Sequence, residues 1–368
     1  MGNAYIDSKV LEAFMMDAFV GVGVPAEDAA ICAEVLITAD RRGIDTHGIG
    51  RFKSIYYDRI KAGIVNPVTR IEILKETETT AVIDGQDGMG HVIARRAMEM
   101  ALEKASCYGM GMVAAGRSSH YGIAGYYALM AAERGMIGIT GTNARPAIAP
   151  TFGVENMLGT NPFTIGIPTD EDFPFVLDCA TSMSQRGKIE KYARSGKEIP
   201  KGWVIGRDGK ERTDTAKILT DLVSGKAALA PLGGIGEETA GYKGYGYATA
   251  VEILSAALQN GRFMKGLSGL DEEGRKTPCS LGHFFIAIKI ESFIDLDIFK
   301  YISGEILRGL RASEKMPGQD RIYTAGEKEH LAWMERKETG IPVGEAVQNE
   351  ILQVKKELHL DSYVFDFE

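Results

Sequence analysis

Thr46, His47 and Arg51 lie within one ten-residue stretch, GIDTHGIGRF, at residues 43–52. A guanidinium can take a carboxylate through two parallel hydrogen bonds, and an imidazole beside it can move a proton. His47 and Arg51 are four residues apart, so they share a face if the chain turns helical after Gly48. Phe52, Ile55, Tyr56 and Ile60 recur at helical spacing, and Gly63 reads as a helix stop. A glycine-eased turn leading into a helix is therefore expected. The plainer alternative is a capped helix start with a surface histidine.

A second histidine stands in a similar setting. In GRSSHYGIAGYYALMAAERG, residues 116–135, a strand is expected to end at Gly116 and a helix to begin at His120, with Gly116 to Ser119 leading from one to the other. A helix N-terminus disfavours imidazolium, which would keep His120 a base near neutral pH. The alternative makes Ser118 or Ser119 a cap and His120 an exposed first-turn residue. Three further stretches end apolar runs in small polar loops. They carry Ala144 and Arg145 after Thr142-Asn143, Asp178-Cys179-Ala180 ahead of Gly187-Lys188, and Lys243 in GYKGYGYATAVEIL. A lysine among glycines can reach a phosphate as a point charge. No GxGxxG follows an expected strand to open a helix, and no GxxxxGK[ST] or HExxH occurs. The six histidines (47, 91, 120, 283, 330, 359) are scattered, so no metal site is expected.

These groups must be held by a chain of 368 residues, long enough for two domains. Helical patterning fills the stretch to about residue 75 and returns in the tail. Between them, short β-rich runs alternate with amphipathic helices, which points to an α/β domain. Residues 261–282 show no core periodicity and read as a long loop. A net charge of −8 argues against a nucleic-acid surface. Four cysteines without a CxxC pair fit reduced thiols, and no apolar run approaches membrane-spanning length. The start lacks a secretory pattern, and Ile6 stands where Met-Gly myristoylation wants Ser or Thr. A cytoplasmic protein bound to neither membrane nor nucleic acid is expected.

In order and spacing, GIDTHGIGRF, AVIDGQDGMGH, SSHYGIAGYYALMAAERGMIGIT, LGTNPFTIGIPT, FVLDCATS with RGK, GYKGYG and GEKE resemble one family over nearly the whole chain. It is the malate/L-lactate dehydrogenase family of the second, non-Rossmann type, and the likeness is greatest to its malate-type branch. The resemblance implies an NAD- or NADP-dependent oxidoreductase that interconverts a 2-hydroxy acid and its 2-oxo acid, malate and oxaloacetate first among them. Lactate, sulfolactate and ureidoglycolate are the alternatives within the family. It implies an α/β fold: a central mixed-sheet cofactor domain of non-Rossmann topology (76–311) plus a mainly helical domain from both termini (1–75 with 312–368). It also implies a homodimer with the active site near the interface.

Carried over by motif, His120 is the acid/base and His47 a second proton-handling or orienting histidine. Arg51 and Thr46 hold the substrate carboxylate; Thr46 stands where serine is common. The cofactor lies along Ala144, Asp178, Cys179, Ala180, Lys243, Gly326, Glu327 and Lys328. A dicarboxylate needs a second cation, for which Arg145, Arg117 and Lys53 are the candidates, Arg145 first. Two readings from other classes are a hydrolase using Cys179 or Ser119 with His120, and a non-catalytic binder of small anions. The first lacks a G-x-S-x-G elbow.

Overall fold

The computed structural model describes residues 4–368; Met1–Asn3, on which the Met-Gly reading of the start rests, lie outside the described residues. Strand β1 (Ala4–Ile6) leads into α1 (Ser8–Gly21), capped by the Asp7 carboxylate, and then α2 (Ala26–Arg41). The helix expected after Gly48 forms in three pieces: α3 (Ile49–Arg51), a π-helical segment Phe52–Tyr57, and α4 (Asp58–Lys61). The wider π turn shifts Tyr56 around the axis from its α-helical place, and such segments recur at functional sites.

Strand β2 (Glu72–Glu76) lies where helical patterning was expected to persist. All five of its residues are exposed, so no apolar alternation marks it. The chain continues through β3 (Thr80–Asp84), α5 (Gly90–Tyr108), β4 (Met110–Ser118), α6 (Ala124–Glu133), β5 (Met136–Thr142), β6 (Phe163–Ile167) and β7 (Phe175–Cys179). A small unit follows: α7 (Arg186–Arg194), β8 (Val204–Gly206), α8 (Thr215–Val223) and β9 (Ala227–Leu229). Then come α9 (Gly241–Ala256), β10 (Leu281–Lys289), α10 (Leu296–Ala312), α11 (Glu327–Thr339), β11 (Ile341–Val343) and α12 (Glu345–Glu357). The segment between α9 and β10 is a loop, as expected, with two short 3₁₀ turns.

The main sheet has seven strands in the order β2-β3-β4-β10-β5-β6-β7. Strands β3 and β4 run parallel, and the neighbouring pairs on either side are antiparallel. It is thus mixed and lacks the doubly wound parallel order of a Rossmann sheet. Helices α5 and α6 bury Ala94, Ala97, Met98, Ala101 and Tyr127 against Val113, Ala115 and Phe285 of the sheet. A second core joins the ends of the chain. Phe14, Phe19, Leu36, Phe52 and Tyr56 pack with Ile341, Ile351, Val354 and Phe365, and β1 pairs with β11. The small unit has its own core around Ile189, Trp203, Val204, Ile218 and Leu229, to which Ile148, Leu158 and Ala248 contribute. Its three-residue strands are too short to signal themselves by alternation.

Candidate active site

The stretch between α2 and α3 is a tight succession of turns. The Ile44 N–H donates to Ala39 O, His47 N–H to Ile44 O, and Arg51 N–H to Gly48 O. The Arg51 Nε donates to Thr46 O at 2.8 Å, and the Thr46 hydroxyl lies 2.9 Å from His47 Nδ1. The three polar side chains of the motif are therefore mutually positioned. Burial, and then the Arg51 charge, lower His47 to about 4, so its imidazole is neutral at pH 7.

His120 sits in the loop that joins β4 to α6, four residues ahead of Ala124, where the helix begins. The expected first-turn position is corrected accordingly, and a different cause keeps the ring neutral. Burial drives its pKa well below the ordinary histidine range, with the neighbouring His47 and His91 rings and the Arg59 and Arg51 guanidinium groups acting in the same direction. The loop is pinned where it leaves β4. Ser118 bonds His283 Nε2 at 2.8 Å, while the Ser119 hydroxyl donates to Gly88 O and accepts the Gly90 N–H. Ser119 is committed to those backbone groups, which removes it as a nucleophile beside His120.

The rings of His47 and His120 stack with centroids 5.9 Å apart and planes at 21°. His120 Nδ1 lies 2.5 Å from the Tyr56 hydroxyl and receives the Gly122 N–H at 3.3 Å. A backbone N–H can only donate, so Nδ1 accepts and the neutral ring carries its hydrogen on Nε2. Tyr56 is fully enclosed, and burial raises its hydroxyl well above the ordinary tyrosine range.

Two adjoining recesses flank this centre. A cleft of about 1400 Å³ is lined by Thr46 and Arg51 on one wall and by Cys179, Ala180, Gly187 and Lys188 on the other. A Cβ added at Gly187 would stand 3.2 Å from an Arg51 terminal nitrogen, so the start of α7 faces the guanidinium closely. A cavity of about 320 Å³ holds Arg42, Asp178, Tyr323, Gly326 and Lys328, and Ile44 lines both recesses. His120 opens instead into a small crevice with Arg59, Asp87, Ser119 and Cys279. Asp178 is open to the cavity, yet its carboxyl lies deep enough that desolvation raises it. That carboxyl accepts the Gly125 N–H at 2.7 Å and the Thr164 hydroxyl at 3.0 Å. Cys179 is likewise raised by burial and by Asp178, the reverse of an activated thiol.

Thr46, Arg51, Cys179 and Ala180 thus share the cleft, and Asp178, Gly326 and Lys328 share the cavity. Neither His47 nor His120 lines either recess, and the same holds for four other sequence candidates, Ala144, Arg145, Lys243 and Glu327. The Ala144 N–H is engaged by Asn161 Oδ1. Arg145 is exposed and has no hydrogen bond or ion pair among the described residues. Lys243 is exposed in the first turn of α9, not in a turn ahead of it, beside Gly244 that packs on the cleft residue Leu232. Glu327 is 1 % exposed, and its carboxylate accepts the Thr324 N–H and pairs with Arg321. Sequence reasoning missed Tyr56, counted only as a core position, and two buried histidines. His91 packs on Tyr56 with ring centroids 4.5 Å apart, and His283 bridges Thr142 and Ser118. The tyrosine's two-residue run with Tyr57, one step out of helical register with Arg51, was the available signal.

A family model described as malate/L-lactate dehydrogenase matches residues 6–352. The chain is 43% identical to a malate dehydrogenase of Pyrococcus horikoshii over 366 residues, 98% of this chain and 99% of that one. It is 40% identical to an L-sulfolactate dehydrogenase of Methanocaldococcus jannaschii, covering 94% of this chain and 95% of the relative. Its fold superimposes on the crystal structure of malate dehydrogenase from Entamoeba histolytica with a TM-score of 0.94. The two are 46% identical, over 97% of this chain and 98% of that one.

Proposed function

The chain belongs to the malate/L-lactate dehydrogenase family, and on that premise we propose that it interconverts malate and oxaloacetate with NAD or NADP. Oxidising a 2-hydroxy acid needs a clamp for its carboxylate, a base for its hydroxyl proton and a hydride acceptor facing the carbon-bound hydrogen. Arg51, with Thr46, provides the clamp. His120 handles the proton at Nε2, and His47 orients the substrate against it. The stacked His47–His120 pair on the Arg51 turn is the observation that carries this reading.

In reduction, the imidazolium form of His120 donates its Nε2 proton to the carbonyl oxygen of the 2-oxo acid and is left as the neutral ring, with Nδ1–H held by the Tyr56 oxygen. In oxidation, Nε2 must be free to accept. The Tyr56 hydroxyl permits this because it can accept from Nδ1–H as readily as it donates. The nicotinamide dinucleotide, when bound, supplies the hydride acceptor or donor. Its proposed holders are Asp178, Cys179, Ala180, Gly326 and Lys328, with Ala144, Lys243 and Glu327 at the periphery. Two features of the cavity suit a phosphate-bearing ligand. The buried Arg42 Nε has no partner among the described residues. Gly326, at φ 90°, leaves no room for a side chain, since a Cβ would stand 2.8 Å from Pro174 O.

Function as a homodimer is part of the same proposal. It is supported by the outer face of α10, where Ile298, Ile302, Ile306 and Leu310 repeat every fourth residue at 48 to 59% exposure. Light scattering of the wild type and of Ile302→Asp tests it; a monomeric wild type removes it. For the reaction, oxidation of NADH and NADPH is followed with oxaloacetate and with pyruvate. No turnover of either cofactor with any 2-oxo acid would falsify the assignment.

A further inference from the structure

Beneath the turn that carries Thr46, His47 and Arg51 lies a buried carboxyl that the chemistry above does not use. Asp40, in the last turn of α2, is 1 % exposed, and its Oδ2 accepts the Ile49 N–H at 2.8 Å. Ile49 opens α3, and Gly48, in the capping position, provides no side-chain acceptor. The first N–H groups of a helix need an acceptor from outside it. Here that acceptor comes from a different helix.

The fit is close on a second side. A Cβ at Gly48 would stand 1.9 Å from Asp40 Oδ1, so the carboxyl fills the space a side chain at 48 would need. The Asp40 carbonyl oxygen accepts from the Arg336 guanidinium of α11, which also pairs with the Asp45 carboxylate. The turn is therefore gripped at Asp40, Asp45, Gly48 and Ile49. Arg51 follows two residues later, and Asp40 itself lines the cleft that holds Thr46 and Arg51.

We infer that Asp40 is a positioning residue of the substrate clamp: by capping Ile49 and seating Gly48 it sets where Arg51 and His47 stand. This rests on the reading of Arg51 as the carboxylate clamp. Burial raises the Asp40 carboxyl to about 8, so it is mostly neutral at pH 7. An amide can then replace it, since Asn keeps the shape and the carbonyl acceptor for Ile49. Leucine keeps the branching at Cγ, with somewhat bulkier ends, but offers no acceptor.

The test compares Asp40→Asn, Asp40→Leu and Arg51→Gln, with steady-state kinetics for the 2-oxo acid and NAD(P)H. Cofactor affinity by NAD(P)H fluorescence and the melting temperature are measured alongside. Asp40→Leu should raise the KM for the 2-oxo acid by about tenfold or more, the scale of a misplaced substrate contact, with cofactor affinity within about twofold. Asp40→Asn should restore both values to near wild type. Equal losses toward both substrates in Asp40→Leu, wild-type kinetics there, or failure of Asp40→Asn to rescue would each overturn the assignment. If Asp40→Leu does not fold, Gly48→Ala, which pushes on the same carboxyl, must show the 2-oxo-acid-specific defect. Arg51→Gln separates the two levels. Should it leave the KM for the 2-oxo acid unchanged, the clamp reading fails; should it raise that KM while Asp40→Leu does not, only the positioning role fails.

Discussion

The Tyr56 hydroxyl and His120 Nδ1 stand 2.5 Å apart, joining the π-helical segment after Arg51 to the loop after β4. The contact ties the proton-handling ring to the element that carries the proposed carboxylate clamp. In the structure the hydroxyl and the Gly122 N–H both meet the same nitrogen, which leaves the hydrogen of the neutral ring on Nε2.

His120→Ala should lower kcat by about 10²–10⁴-fold, the usual worth of a general acid/base. Tyr56→Phe removes the partner that orients the ring and should cost about 10–100-fold, by analogy with groups that orient metal-bound histidines. His47→Ala should cost less than His120→Ala. Steady-state reduction of the 2-oxo acid gives all three values. A larger loss for His47→Ala than for His120→Ala would exchange the two roles.

Acid should destabilise the fold through its enclosed histidines. Burial lowers His91 and His283 each to about 3. These are bases whose folded pKa lies below the unfolded one, so the unfolded chain binds more protons between those values. Stability is therefore full above about pH 6.5 and is lost as pH falls toward 3, at about 1.4 kcal/mol per pH unit per group. Neither ring nitrogen of His91 has a partner among the described residues. His91→Leu should then be near neutral at pH 7 and should flatten the acid loss by about one proton. Urea unfolding at pH 7, 6, 5 and 4 checks this; parallel slopes for the two proteins would reject it.

The sequence and the structure agree where a residue's role depends on its neighbours in the chain. The Thr46–His47–Arg51 turn, the place of Asp178 at the end of a strand and the helices around the sheet all follow from local pattern. His120 was singled out by its local setting, but its neutrality comes from burial and from the nearness of the His47–Arg51 turn, Arg59 and His91, which local pattern does not show. Tyr56 shows the limit most clearly. Its apolar spacing marks a core residue, and only the wider π turn and a partner 64 residues away turn its hydroxyl into part of the site. Asp40 was invisible for the same reason, since its acceptor role depends on a turn folding back over the end of α2.

Lys243 is expected to touch the cofactor, although its side chain is exposed at the start of α9. Its neighbour Gly244 packs on Leu232, which lines the cleft. Lys243→Ala should raise the KM for NAD(P)H far more than that for the 2-oxo acid. An effect confined to the acid would move Lys243 to the substrate side.

Preference for a dicarboxylate requires a second cation, because an unpaired carboxylate enclosed in the site costs several kcal/mol. Two sequence candidates are already engaged. Arg117 pairs with Asp84 at 2.9 Å, and Lys53 pairs with Asp58 at 2.9 Å. Arg145 keeps an uncommitted guanidinium among the described residues, and Lys188 enters the same cleft as Arg51, its Nζ 4.8 Å from the Trp203 ring. The quantity to measure is kcat/KM for oxaloacetate over that for pyruvate, with the better cofactor. If malate is the substrate, the wild-type ratio is well above one, since a site built to pair a charged group discriminates strongly against a substrate lacking it. Arg145→Ala should then collapse the ratio by lowering only its numerator, while Arg117→Ala and Lys53→Ala leave it in place. If Lys188→Ala collapses the ratio and Arg145→Ala does not, the second cation comes from α7. A wild-type ratio at or below one would remove malate and leave a monocarboxylate as the substrate of the same clamp and the same histidine pair.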